Sequence, residues 1–159
     1  MAGFGKPKHG KKIKPQASRS QTDEATRQAL NAYQKGDLAS AKTLLEKTLQ
    51  VNPENSFALG FLATIEKALE NKERALELFE RSTRIDQNNP DIRHNYSILL
   101  QEKNSTKAVT LSNRAVEISP SNSSYLERNG YLKWKHGDLE NALKVTTKAI
   151  RLDPSLVDA

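Results

Sequence analysis

The sequence predicts an all-α protein, a solenoid of about four helix–turn–helix units (eight antiparallel helices) after a disordered basic tail. Three observations carry that expectation. Four segments close in the same way, at Asn52-Pro53, Asp86-Gln87, Ser119-Pro120 and Asp153-Pro154, and these endings fall 34, 33 and 34 residues apart. A second column, Ala41, Ala75, Ala108 and Ala142, keeps the same steps of 34, 33 and 34, including the same one-residue shortening. Within each unit the apolar residues recur at three- and four-residue steps, the period of one helix face, and no segment alternates as a half-buried strand would. A fixed period in this range is the mark of a repeat architecture.

The elements follow in chain order. Residues 1–21 contain Lys6, Lys8, Lys11, Lys12, Lys14 and Arg19 and no acidic residue. The remaining chain therefore holds 25 − 6 = 19 basic groups against all 19 acidic ones, so the net charge of +6 belongs to this segment. With three glycines, two prolines and few large apolar side chains it cannot offset its ordering entropy, and disorder is expected. Its lysines and Arg19 are candidates for weak contact with nucleic acid or another polyanion. The first unit spans 22–55, with Leu38, Ala41, Leu44, Leu45, Thr48 and Leu49 as the stripe of its second helix and Gly36-Asp37 at its turn. Glycine there can close one helix in the left-handed conformation, and Asp can cap the next. The second unit, 56–89, has Glu70-Asn71 at that turn and Gln87 in place of the closing proline. The third, 90–122, opens on Pro90, which suits a first helical turn, and is shortened near Asn104, where Ser or Thr is expected to cap. The fourth, 123–155, restores Gly137-Asp138 and carries Leu139, Ala142, Leu143, Val145, Ala149 and Ile150 on its second helix. Residues 156–159 form the C-terminal end or the entry to a further unit.

Several function classes drop out. The absence of cysteine excludes disulfide scaffolds, Cys-ligated zinc, iron–sulfur clusters and thiol nucleophiles. His9, His94 and His136 share no helical face, so no metal site is expected, and no phosphate-cradling glycine loop is present. The carboxylates Glu70, Glu73, Glu77 and Glu80 alternate with Lys72, Arg74 and Arg81 as a solvated, salt-bridged face does. No run approaches 18 apolar residues, and no secretory apolar stretch opens the chain. The chain as given is expected to be neither an enzyme nor a cofactor carrier, and to reside in the cytoplasm.

The unit resembles the tetratricopeptide repeat, on Leu126, Gly130, Gly137-Asp138, Ala142, Ala149 and Asp153-Pro154 in the fourth unit. Ala29, Gly36-Asp37, Ala41 and Pro53 carry it in the first, and Leu59, Leu62, Ala63, Ala75 and Phe79 in the second. The third departs most, with Arg93 at a usual aromatic or leucine position. The basic start with Gly3-Phe4-Gly5-Lys6 is also similar to leaders of bacterial proteins of this family whose repeats precede transferase domains. The resemblance implies a right-handed solenoid whose first helices line a concave groove. Arg27, Phe57, Phe61, His94, Asn95, Arg128 and Tyr131 would then form the partner site, with Phe61 and Tyr131 as anchors. Phe79, Tyr96 and Trp134 are expected in the core between helices. Of the family's five-residue clamp for a peptide carboxylate, Asn95 and Arg128 match, while Gly60, Thr64 and Ser124 occupy the other places, so both lysines are missing.

The expected function is a non-enzymatic scaffold binding a peptide or helix of another protein in the groove. Two alternatives stay open: the N-terminal repeat portion of a larger bacterial methyl-, sulfo- or glycosyltransferase, and a nucleic-acid-associated protein acting through the tail. The side of the last helix bearing Leu139, Leu143, Thr146 and Ile150 is expected to self-associate or be covered by a following segment, because terminal repeats normally need a polar outer face.

Overall fold

The computed structural model describes residues 16–157, with side chains described from 24 to 156. The described chain forms eight α-helices and one 3₁₀ turn, with no strand: α1 Gln16–Gln34, α2 Leu38–Val51, α3 Ser56–Ala68, α4 Lys72–Ile85, α5 Pro90–Leu100, α6 Ser105–Ile118, α7 Ser123–Lys135, α8 Leu139–Leu152 and the turn Pro154–Val157. Consecutive helices pair within units (α1 with α2, α3 with α4, α5 with α6, α7 with α8), and each unit packs only on its neighbours.

The two columns read from the sequence have distinct physical roles. Ala41, Ala75, Ala108 and Ala142 are all buried, where a larger side chain would hold the paired helices apart. Gly130 shows how close that approach is, since a Cβ there would lie 2.3 Å from Thr146 Oγ1. Pro53, Pro120 and Pro154 each fall two residues beyond a helix end, and Pro90 takes the first turn of α5. Where Gln87 replaces the proline, Arg93 closes the loop by donating from Nε and Nη2 to the Gln87 carbonyl at 2.9 and 2.5 Å. The unusual arginine of the third unit thus restrains the unit before it.

The turns differ in one respect. Gly36 (φ 79°) and Gly137 (φ 87°) adopt the left-handed conformation, and Glu70 is forced into it at φ 62°. The third unit has no left-handed residue: α5 is 11 residues long against 13 for α3 and α7, and Asn104 closes it by donating its N–H to the Leu100 carbonyl at 2.8 Å. The deleted residue is the one that would have carried that strain. Asn104 itself caps α6, accepting from the Lys107 N–H at 2.9 Å, rather than the Ser or Thr expected there. Asparagines 55, 89 and 122 do the same for α3, α5 and α7.

Two sequence expectations need correction. The tail was placed at 1–21, but α1 already begins at Gln16, because adding residues to a helix anchored by packing costs far less than nucleating one. Lys6, Lys8, Lys11, Lys12 and Lys14 lie outside the described residues, and Arg19 lies on α1. Trp134 was assigned to the core with Phe79 and Tyr96. Those two are buried and stacked at 5.7 Å, but Trp134 is 61% exposed at the C-terminal edge of the stack.

Candidate partner-binding groove

The groove is built on α1, α3, α5 and α7, and the asparagine caps of the last three fix the register of their side chains. At its N-terminal end Leu30 and Tyr33 of α1 face Phe57, Phe61 and Thr64 of α3 around a shallow cavity that extends to Asp91, Ile92 and Asn95 of α5. Phe61 is the hinge of this aromatic shelf, meeting Tyr33 edge-on at 5.3 Å and Phe57 at 6.0 Å. Phe57 and Leu30 keep much of their surface in solvent. Gly60 is required at the floor, because a Cβ there would sit 2.6 Å from the Ile92 side chain.

The middle of the groove is cationic. Lys67 of α3 donates from Nζ to Asn95 Oδ1 of α5 at 3.3 Å, and Asn95 donates in turn to the Asp91 carbonyl at 3.1 Å. Arg128 of α7 donates to Gln101 Oε1 at 2.7 Å and lies over the Tyr131 ring at 5.1 Å. His94 packs against Tyr125 with the rings tilted at 37° and 5.0 Å apart, and the Tyr125 hydroxyl donates to the Asp91 carboxylate. Neither Lys67, His94 nor Arg128 forms a salt bridge among the described residues. Arg128 Nε is buried and has no hydrogen-bond partner.

The protonation equilibria report the crowding. Burial, then the charge of Arg128, holds the Lys67 pKa below its ordinary value. Burial, then Arg128 and Lys67, pushes His94 down, against an opposing pull from Asp91. Burial lowers Arg128 as well, though a guanidinium remains charged throughout the physiological range. Beyond this cluster Tyr131 and Trp134 form a second aromatic surface at 6.0 Å, and Lys135 is ion-paired with Glu102.

Of the residues named from sequence, Phe57 and Phe61 come together, His94, Asn95 and Arg128 come together, and Tyr131 joins the latter through Arg128. Arg27 stands apart, exposed and paired with Glu24 at 2.5 Å. Sequence reasoning missed Tyr33, Lys67, Gln101 and Trp134. These four form one repeat column, each 33 or 34 residues from the last, and the column was available to be read. Among the described residues no cluster of His, Asp and Glu could hold a metal ion.

Residues 32–94 match the tetratricopeptide repeat family model. The chain has the tetratricopeptide-repeat fold. Solved structures bear this out along the stack: MamA aligns at TM-score 0.73 and 14% identity over 90% of this chain and 84% of that one. The Pseudomonas aeruginosa PilF structure aligns at TM-score 0.78 and 22% identity, over 87% of this chain and 64% of that one. A Thermobaculum terrenum O-GlcNAc transferase aligns at TM-score 0.70 and 19% identity over 76% of this chain but 23% of its own. No curated protein matches in sequence. Tetratricopeptide repeats commonly mediate protein–protein interaction, and no helix among the described residues is long and apolar enough to cross a membrane.

Proposed function

We propose that the chain is a non-enzymatic scaffold whose groove binds a segment of another protein, apolar where it meets the Tyr33–Phe57–Phe61 shelf and acidic where it reaches Lys67, His94 and Arg128. The observation that carries this reading is the cluster itself: three cationic or protonatable groups from three successive first helices converge, none of them in a salt bridge among the described residues, with Asp91, Glu102 and Glu127 acting on them only at longer range. Such a cluster raises the energy of the empty groove and is relieved by an anion, so an acidic side chain gains there what a neutral one does not. Lys67 supplies a positive charge that the clamp pattern lacks in this chain, but from seven residues, two helical turns, beyond Gly60 on α3. Since Gly60, Thr64 and Ser124 hold the clamp's unmatched places and both of its lysines are missing, the reading favours an internal Asp or Glu over a free C-terminus.

The test uses C-terminally amidated peptides with an aromatic or leucine pair followed at varied spacing by Glu or Gln, read by fluorescence anisotropy. The Glu peptides should bind about tenfold more tightly than their Gln counterparts, and Lys67→Ala and Arg128→Ala should each abolish that preference. Phe61→Ala should weaken both peptide classes equally. Indifference to the acid in the wild-type protein, or binding that needs a free carboxyl terminus, would remove the basis of the reading. A repeat array serving a transferase in a longer chain is the second reading, supported by the Gly3-Phe4-Gly5-Lys6 start and by the O-GlcNAc transferase likeness.

A further inference from the structure

The column Tyr33, Lys67, Gln101, Trp134 and the column Arg27, Phe61, Asn95, Arg128 meet at every junction between units. Tyr33 contacts Phe61, Lys67 donates to Asn95, and Gln101 accepts from Arg128, across 28, 28 and 27 residues. Each pair is chemically matched: ring on ring, ammonium on amide oxygen, amide oxygen on guanidinium. Two members are left without such a mate among the described residues. Trp134 stands 61% exposed at one end of the stack, and Arg27, on α1, is exposed at the other. An indole and a guanidinium are themselves a matched pair, since the aromatic face attracts the cation.

We infer that this chain associates head to tail with a second copy, the edge formed by α7 and α8 of one molecule receiving α1 of the next, so that Trp134 stacks against Arg27 of the second copy as one more junction of the same repeat. Three further features agree. Arg128 lies beside His94 closely enough to shift its proton equilibrium; one junction on, the corresponding neighbours are Arg27 of the second copy and Glu127, and there the charges attract. Glu24, already bound to Arg27, completes a Glu–Arg–Glu arrangement with the guanidinium between the carboxylates. Leu76 and Ile98 line one cavity between units two and three; their counterparts at the new junction are Leu143 and the second copy's Leu30, which are 72% and 43% exposed. The receiving surface, lined by Gly130, Tyr131, Trp134, Leu139 and Leu143, is a largely apolar depression. Such a junction is heterologous and leaves a free edge at each end, so it extends rather than closing as a two-fold dimer. The inference does not depend on what the groove binds.

Sedimentation velocity of the 159-residue chain over a wide concentration range tests it. The wild-type protein should show a sedimentation coefficient that keeps rising past the dimer value. Leu143→Glu and Arg27→Glu, both at exposed positions, should each weaken association at least tenfold while circular dichroism stays unchanged. Mixed in equal amounts, these two variants should form a species of two chains and no larger, since only one good edge meets one good α1. Arg27→Glu combined with Glu127→Arg in one chain should restore assembly. A wild-type protein that stays monomeric overturns the inference. Association that survives Arg27→Glu undiminished also overturns it, because it assigns the edge to another occupant such as a second edge. Failure of the charge swap to restore what Arg27→Glu removes would exclude this register.

Discussion

Replacing Lys42 with Met should loosen the junction between the first two units by an amount that depends on pH in a definite direction. Glu66 of α3 is 3% exposed, and its carboxylate accepts from Lys42 Nζ of α2 at 2.8 Å and from Asn71 Nδ2 at 2.7 Å. Burial alone would raise the Glu66 pKa, but the bonds from Lys42 and Asn71 outweigh it and hold the value below the ordinary carboxylate range. Removing one partner of a fully buried pair costs about 3–5 kcal/mol, and an exposed pair contributes only about 0.2–1. The Lys42 side chain keeps 32% of its surface in water, so an intermediate loss of about 2 kcal/mol is expected at pH 7. Methionine preserves the packing of the aliphatic stem, so the loss reports the charge. The sign is then fixed. In the wild type the depressed pKa gives stability above the ordinary glutamate value, lost as pH falls through the folded value; in Lys42→Met the stranded carboxylate titrates above its unfolded value, so acid relieves it. The difference between the two proteins should shrink from pH 7 to pH 4. Urea unfolding at matched m-values measures it, and Lys42→Met with Glu66→Leu should recover most of the loss. A cost below about 0.5 kcal/mol at pH 7, or one that grows on acidification, would refute the argument.

Three further outcomes are expected. Gly60→Ala should destabilise by about 1–3 kcal/mol, because its Cβ would meet Ile92 Cγ1 and Cδ1 at 2.6 Å, and Ile92→Ala in the same chain should make the change much less costly, as thermal melts of the four proteins would show. Glu70→Gly should stabilise by roughly 0.5–1 kcal/mol, since it relieves a left-handed residue while losing only an exposed contact with Lys72, and a higher urea midpoint at constant m-value is the readout. His94 should titrate below the ordinary histidine value in proton NMR, so it costs stability as pH falls below about 6.5, and Arg128→Ala or a bound acidic peptide should move it upward.

What the sequence revealed and concealed has a physical pattern. The alanine column and the closing prolines were legible because their jobs are local: a helix approaches its partner only over a small side chain, and a proline ends a helix wherever it falls. Trp134 was misplaced because its position looks out of its own unit toward the next, so its burial depends on a neighbour and not on its hydrophobicity. Lys67 escaped for a related reason. Matching a ligand site position by position overlooks a long side chain that reaches one of its members, Asn95, from two turns away. The start of α1 at Gln16 was hidden because Gln16 to Gln21 carry no apolar stripe of their own.

Every side-chain hydrogen bond and ion pair among the described residues joins positions no more than 34 apart in sequence, the Tyr125–Asp91 contact being the longest. Expressed as time, this bounds how long any polar group must wait for its partner during synthesis. At roughly 5–20 residues per second the partner leaves the ribosome within a few seconds, whichever unit is being made. A chain of this kind has no late event in which distant ends must find each other, and lengthening it by whole units would leave that waiting time unchanged.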